Sequence, residues 1–407
     1  MSRVLWLTPE VPEPGGIGGA IRTHHLLGGL VRRGLRPVVV ATSYADQAER
    51  ARATTFDGVE LVLVPRPESR AKEALREHLR HPSLVGPLLS RPFLGWQGEV
   101  FWREIEETVQ RELAEPPAAV VVEHDFCVQW GRRIPATIPA TFASNNATWT
   151  QIARDADAAP GVRGALLGAE AARYRRHLRG ALSRYSLFSA CSEQDAVALG
   201  EFGVGPVEVF PNGADTSRLA GIEATGGEPG RLLFTGTLSY PPNADAVRWL
   251  ATEILPLIRR SEPDARLTVV GRGAPADVEQ LAAADPAIDL LGWVDDLTPL
   301  LASAAVALAP LRSGGGTRLK IVEALAAGRA MVSTTIGAEG IDVTDDVHLR
   351  IADDAAGFAE VVVELLRDRE ARVRLAEAGR GRARERYDWT AIADGFAASL
   401  AGWAGTP

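Results

Sequence analysis

The stretch SGGGTRLKIVE, residues 313–323, gathers side chains suited to holding an anion and a sugar. Gly314, Gly315 and Gly316 run into Thr317, Arg318, Leu319 and Lys320. A glycine loop leaves backbone N–H groups free to point at an anion, and the helix predicted to follow adds positive potential at its start. Arg318 and Lys320 add full positive charges, a pair suited to a diphosphate. Glu323 lies about one turn further on, where a carboxylate can accept hydrogen bonds from vicinal hydroxyls, as acids do for ribose in dinucleotide folds. The competing reading is a flexible loop, two solvated cations and an acid that suits the helix dipole.

A second glycine group, PEPGGIGGAIRTHH (12–25), places Gly15, Gly16, Gly18 and Gly19 between a strand-like and a helix-like segment. Four glycines in five positions exceed what a turn needs, and they would let a ligand approach the backbone. The spacing is not GxGxxG, because Ile21 stands where the last glycine would be. His124, flanked by Glu123 and Asp125, follows the apolar run AAVVV and could contact a substrate, donate a proton or sit in an ordinary loop. Asn145 and Asn146 follow TFAS and suit either sugar hydroxyls or a turn. Two other patterns carry less. GRGAPA (271–276) fits GxGxxA after a strand but lies late in the chain. Asp295 and Asp296 read as caps of a helix over 295–303 rather than as a metal pair.

These groups need elements to position them. Apolar strands are predicted at 3–8, 37–42, 59–65, 118–124, 140–144, 185–191 and 207–212. A helix is predicted at 18–34, with Ile21, Leu26, Leu27, Leu30 and Val31 on one face. The pattern restarts after an aperiodic stretch at 216–230, read as a linker. Strands follow at 231–236, 265–271, 287–293, 304–311, 330–335 and 347–353, with helices at 243–260, 276–284, 295–303, 319–327 and 355–383. Non-alternating apolar strands separated by helices predict parallel sheets covered on both faces. The expected class is α/β, two doubly wound Rossmann-like domains in tandem, 1–215 and 231–385. A last amphipathic helix is read within 386–407.

The bulk properties bound the possibilities. The 407 residues suit two or three domains. A net charge of −8 argues against general nucleic-acid binding. Cys127 and Cys191 belong to no CxxC or Cys/His cluster, so neither a zinc site nor a disulfide framework is expected. That usage, with no signal-like segment or long apolar run, leads to an expected cytoplasmic location. Arg163, Arg173, Arg175, Arg176, Arg179 and Arg184 make 161–185 a basic helix, read as solvated rather than membrane-bound.

Taken together, GGIGGAIRTHHLL, FSACSEQDAVAL (188–199), VEVFPNGADTSRL (207–219), LLFTGTLSYPPNADAVRWL (232–250), LTVVGRG (267–273), the segment 290–334 and RYDWTAIADGF (386–396) resemble the retaining glycosyltransferases of family 4. The resemblance spans nearly the whole chain and lies in the order and spacing of the motifs. It implies the GT-B fold, two Rossmann-like domains facing a central cleft with the C-terminal helix crossing back. It also implies a nucleoside-diphosphate sugar as co-substrate, UDP- or GDP-linked, with no metal or other cofactor. Glu323 matches the second acid of the family's Glu-x7-Glu motif and would bind the donor ribose. Gly315, Gly316, Thr317, Arg318, Leu319 and Lys320 would hold the diphosphate, with Gly18 and Gly19 facing the same phosphates. Gly236, Thr237 and Arg272 would join the donor site, and Trp293 and Val294 would line the base. Arg318, Lys320 and His124 would be catalytic. His24, Asn145 and Asn146 would lie on the acceptor or transferred-sugar side.

The sequence departs from the family pattern in three places. The first acid of Glu-x7-Glu falls on Gly315. Thr237 replaces the Arg of the usual GRL element, and no Lys follows nearby. Arg318 and Lys320 are positioned to compensate, which identifies a TGxxxYxPN…GTRLK subgroup. A small-molecule or natural-product acceptor is expected, with a lipid-linked glycan or polysaccharide as the alternative. The other classes weighed are a nucleotide-sugar epimerase, an NAD-dependent oxidoreductase resting on GRGAPA, and a sugar-nucleotide sensor without turnover.

Overall fold

The computed structural model describes residues 2–15, 18–43, 57–65, 102–224, 227–316 and 318–405. They form two compact units, Met1–Pro211 with Ile392–Pro407, and Asn212–Ala391. Gly16 and Thr317 lie outside the described residues.

The first unit is built on seven parallel strands: β1 (Arg3–Thr8), β2 (Arg36–Ser43), β3 (Glu60–Pro65), β4 (Ala119–Glu123), β5 (Ala140–Ser144), β6 (Leu187–Ala190) and β7 (Val207–Val209). Their order is β3-β2-β1-β4-β5-β6-β7. β1, β4 and β5 are buried along their whole length, so their valines, leucines and alanines need no polar face. The core below them includes Leu5, Val38, Val120, Phe142, Trp149 and Tyr174.

The helix Gly18–Arg32 departs from its expected face. Arg22 and Thr23 are buried beside Leu26, Leu27 and Leu30, whereas Ile21 and Val31 are only half-buried. Polar residues go inside here because partners wait for them: Arg22 Nη1 donates to the Pro211 carbonyl at 3.2 Å, and Thr23 Oγ1 to Glu123 Oε2 at 2.6 Å. The last helix, Trp389–Ala404, returns the chain to this unit. Phe396 packs on Trp6 and Phe210, with ring centroids 5.6 and 5.2 Å away. A Cβ at Gly29 would lie 2.3 Å from the Ala393 carbonyl, so glycine permits this approach.

The second unit repeats the plan with six parallel strands: β8 (Arg231–Thr235), β9 (Arg266–Val270), β10 (Ile288–Leu290), β11 (Val306–Ala309), β12 (Ala330–Ser333) and β13 (Arg350–Ile351). Their order is β10-β9-β8-β11-β12-β13. Both sheets are therefore doubly wound, and among the described residues helices separate most of the successive strands as expected.

Three local readings change. The stretch 216–230 carries a short helix, Thr216–Leu219, capped by Asp215, and Leu219 and Ile222 enter the apolar core of the second unit. Two apolar residues one turn apart anchor what glycine content alone suggests is a linker. The helix expected over 355–383 is two helices, Ala355–Arg367 and Arg369–Arg386. Asp368 breaks it by capping the second, accepting the Ala371 N–H at 2.9 Å. The helix at 295–303 begins at Thr298: Asp296 accepts the Thr298 N–H at 2.9 Å, whereas Asp295 accepts the Trp293 indole N–H at 3.2 Å.

Candidate active site

In a doubly wound sheet the strand order reverses once, and ligands bind beyond the carboxyl ends of the two strands that flank the reversal. In the second unit these strands are β8 and β11. The chain leaves β8 through Gly236 and Thr237 into the helix Pro241–Trp249, and leaves β11 through the glycine loop into the helix Leu319–Ala326. Both connections carry the expected donor-side residues.

The Lys320 ammonium bridges the two connections. Its Nζ donates to Asn243 Oδ1 at 2.8 Å and stands 3.8 Å from the centroid of the Phe234 ring. Asn243 is itself anchored by donating from Nδ2 to the Thr237 carbonyl at 2.9 Å. Gly236 has φ 152°, and a Cβ there would lie 2.8 Å from Asn243 Nδ2 and 2.9 Å from Lys320 Nζ, so only glycine leaves room for the pair. Burial and the neighbouring Arg318 charge hold the Lys320 pKa well below the usual lysine range, while Glu323 pulls it back up. Burial raises Glu323 to about 7, against the opposing pull of Arg218 and Lys320. Lys320 and Glu323 lie three positions apart on one helix, which sets both on neighbouring turns of the same face.

Arg318 serves the loop as well as the field. Its Nη1 donates to the carbonyls of Gly315 and Gly316, and the side chain is buried. Gly314 and Gly316 take φ 106° and 77°, conformations that favour glycine and shape this loop. Leu319 is half-buried at the helix start. Arg272 and Trp293 form a separate pair at the ends of β9 and β10, with the guanidinium 5.3 Å from the ring centroid. Trp293 is 49% exposed, which leaves an aromatic surface open, and Val294 beside it packs on the core. GRGAPA finds a packing explanation. A Cβ at Gly271 would lie 1.9 Å from the Gly236 carbonyl, so this glycine lets the β9 end approach the β8 end.

In the first unit the reversal falls between β1 and β4, and a second polar group gathers there. His124 has φ 70°, one of two positive values at described non-glycine residues. Such a backbone costs roughly 1–3 kcal/mol and persists where its surroundings enforce it. Asn145 Nδ2 stands 3.0 Å from His124 Nε2 and 3.2 Å from Glu123 Oε1. A Cβ at Gly19 would lie 3.1 Å from His124 Nε2 and 2.4 Å from Glu10 Oε2, so Gly19 is small because this group closes on it. Gly18 starts the same helix and is exposed. Asp125 accepts the Thr148 N–H at 3.0 Å, capping the next helix, and burial raises its pKa. His24 sets its ring edge-on to His25 at 5.1 Å, and burial lowers its pKa to about 4. Asn146 is half-buried and accepts the Ser144 hydroxyl through its carbonyl at 3.1 Å.

Thus Gly236, Lys320 and Glu323 belong to one group, and His124, Asn145 and Gly19 to another. Sequence reasoning missed Asn243, Phe234, Glu10 and Thr23, and named Glu123 only as a neighbour of His124. Asn243 left a signal, since it closes the YPPN motif at a helix start; the others are indistinguishable from core or loop residues until the sheet is assembled. Among the described residues no group of three or more His, Cys, Asp or Glu side chains is arranged to hold a metal ion.

Residues 229–368, which contain Gly236, Asn243, Lys320 and Glu323, match the family described as "Glycosyl transferases group 1". The chain is 33% identical over 191 residues to a phosphatidyl-myo-inositol mannosyltransferase of Mycolicibacterium smegmatis, covering 45% of this chain and 48% of that protein. It is 32% identical over 203 residues to a glycogen synthase of Mycobacterium tuberculosis, 47% of each chain. The chain therefore spans about half the length of the curated relatives it matches. Among solved structures, Anabaena HepE in complex with UDP-glucose aligns with TM-score 0.68 at 13% identity, over 99% of this chain and 100% of that one. Sucrose-phosphate synthase from Thermosynechococcus elongatus aligns with TM-score 0.68 at 13% identity, over 97% and 96%. The fold is the GT-B fold, two Rossmann-like domains with parallel sheets.

Proposed function

We propose that the protein is a glycosyltransferase that moves a sugar from a nucleoside-diphosphate sugar to an acceptor with retention of anomeric configuration and without a metal. The observation that carries this reading is the Lys320 ammonium held between Asn243 and Phe234 at the β8/β11 reversal, with Glu323 one turn along the same helix. The family match over 229–368 and the UDP-sugar bound to a structural neighbour support it. The donor is taken as UDP- or GDP-linked.

Departure of a nucleoside diphosphate builds negative charge on its phosphates while the sugar becomes oxocarbenium-like. Lys320, the loop amides at 314–316 and the helix start are fixed before the reaction, so they stabilise that charge without reorganising. An arriving diphosphate also restores the proton affinity that burial takes from Lys320. Arg318 keeps the loop in shape and adds to the field. Glu323, as a carboxylate, accepts from the ribose hydroxyls. His124 and Asn145 are assigned to the acceptor or transferred sugar. Glu123, the buried acid beside them, already accepts from Trp6, Thr23 and Asn145, which suits it to holding structure rather than to nucleophilic attack. A front-face displacement, in which the leaving phosphate takes the acceptor proton, fits that arrangement.

The acceptor is proposed to be a small molecule. The basic helix Gly161–Leu182 spends part of its charge on ion pairs, Arg173 with Glu170 and Arg175 with Glu201, in keeping with a solvated face. A lipid-borne acceptor is the second reading. It is favoured by the mannosyltransferase relative and by Val162 and Leu166, exposed one turn apart beside Arg163. Flotation with anionic vesicles separates the two.

The test is thermal stability with UDP, GDP, ADP, dTDP or NAD, each with EDTA. A ligand at about 100 times its Kd adds about 2.7 kcal/mol to the state that binds it. A midpoint raised by one nucleoside diphosphate is expected. A rise with NAD alone overturns the reading.

A further inference from the structure

Glu123 ends β4 with its carboxylate fully buried in the first unit. Its Oε2 accepts from the Trp6 indole N–H at 3.1 Å and the Thr23 hydroxyl at 2.6 Å. An indole N–H only donates, so Oε2 is an acceptor. Oε1 faces Asn145 Nδ2 at 3.2 Å, and the same nitrogen stands 3.0 Å from His124 Nε2. One amide nitrogen carries two hydrogens, and this geometry uses both.

The orientation of a buried amide follows from its donors and acceptors. Turned over, Asn145 would set its carbonyl oxygen against the Glu123 carboxylate, two acceptors with no proton between them. Nothing at the other end of the amide competes, because Asn145 Oδ1 is buried with no hydrogen-bond partner among the described residues. With Nδ2 toward the ring, His124 Nε2 must accept, and the proton of the neutral ring sits on Nδ1.

We propose that Glu123 is a positioning residue: it fixes the Asn145 amide and, through it, the His124 tautomer. Its consequence for transfer rests on the reading that His124 meets the acceptor or the transferred sugar. The tautomer decides whether the ring offers that partner an N–H or a lone pair, a difference that hydrogen-bonding sites feel strongly.

The isosteric change Glu123→Gln inverts the chain of bonds. The Trp6 indole N–H still requires an acceptor, whereas the Thr23 hydroxyl, which also reaches the Gly19 carbonyl at 2.9 Å, makes no demand of its own; the introduced carboxamide therefore presents its oxygen to Trp6 and its NH2 to Asn145. Asn145 then turns over to accept, and its oxygen calls for a proton on His124 Nε2. Long-range 1H–15N correlation on the full chain with 15N-labelled histidine reads this directly. The chain has seven histidines, and His124 is assigned by its loss in His124→Gln. The wild type is expected to show an imine-type Nε2 and a pyrrole-type Nδ1, exchanged in E123Q. A pyrrole-type Nε2 in the wild type overturns the proposal, and that reading does not depend on E123Q folding. So does a folded E123Q that keeps the wild-type tautomer. With UDP-glucose and GDP-glucose tried in turn as donors and water as the acceptor, E123Q is expected to lower kcat roughly tenfold or more for the donor that is turned over, while donor KM stays within about twofold. An exchanged tautomer with unchanged kcat supports the positioning by Glu123 and overturns instead the assignment of His124 to transfer.

Discussion

Lys320 Nζ donates to Asn243 Oδ1 across 2.8 Å, and this single bond ties the helix after β11 to the helix after β8. Asn243 therefore controls where the cation stands. A hydrogen bond to a charged group contributes about 1.5–3 kcal/mol. Asn243→Ala is expected to lower kcat/KM for the donor by roughly tenfold to a hundredfold in steady-state assays. Asn243→Asp keeps an acceptor and adds a negative charge that raises the Lys320 proton affinity. Its alkaline limb in a pH–rate profile is expected at higher pH than in the wild type. An Asn243→Ala enzyme with wild-type kinetics would refute the role.

On the proposed function, Lys320 supplies charge where charge develops. Removing one preorganised stabilising group of this kind costs about 10²–10³ in kcat. Lys320→Met, which keeps length and apolar contact with Phe234, is expected to fall in that range with a smaller change in KM. Turnover within about threefold of wild type would place the essential cation elsewhere.

On the proposed function, Glu323 trades stability for donor binding. Burial holds its pKa at about 7, above its ordinary 4.5, so the folded chain binds a proton that the unfolded chain has released across that window. Its contribution is complete below 4.5 and lost as pH rises through about 7. Glu323→Gln is free of this loss. At pH 8 the variant is expected to be more stable than wild type by roughly 1–3 kcal/mol, at about 1.36 kcal/mol per pH unit and allowing for partial exposure. It is also expected to bind the donor more weakly. Thermal midpoints of both proteins across pH 5 to 8, with and without nucleotide, provide the check. Parallel curves would dismiss the titration of Glu323.

Gly271→Ala brings a Cβ within 1.9 Å of the Gly236 carbonyl. Overpacking of this kind costs about 1–3 kcal/mol and displaces the turn that makes room for Lys320. Loss of both stability and donor affinity is expected by denaturant titration and nucleotide binding. Gly168→Ala is the contrast, because that helix position has nothing within 4 Å. It is expected to gain about 0.5–1 kcal/mol from helix propensity. Equal losses in both variants would remove the packing argument.

Particular residues show what was legible. RVLWLT and ATFAS are strands over the residues their composition marks, and the helix at Ala276–Ala284 has the expected bounds. Those segments carry their signal locally, in apolar runs and periodicity. The break at Asp368 escaped because a single cap outweighs a continuing apolar pattern. Arg22 and Thr23 escaped because a polar residue on a helix reads as exposed until its buried partner is known.

The sequence by itself determined the alternation of parallel strands and helices, the restart in the second half, and the loop at 313–323 with its cations and acid. Only the tertiary structure decided which residues meet. Asn243 and Lys320 are 77 positions apart, and Thr23 and Glu123 are 100 apart. Each pair meets because strand order sets two distant connections side by side at the reversal of a sheet. That order is fixed by packing over the whole domain, so no local pattern of residue types records it.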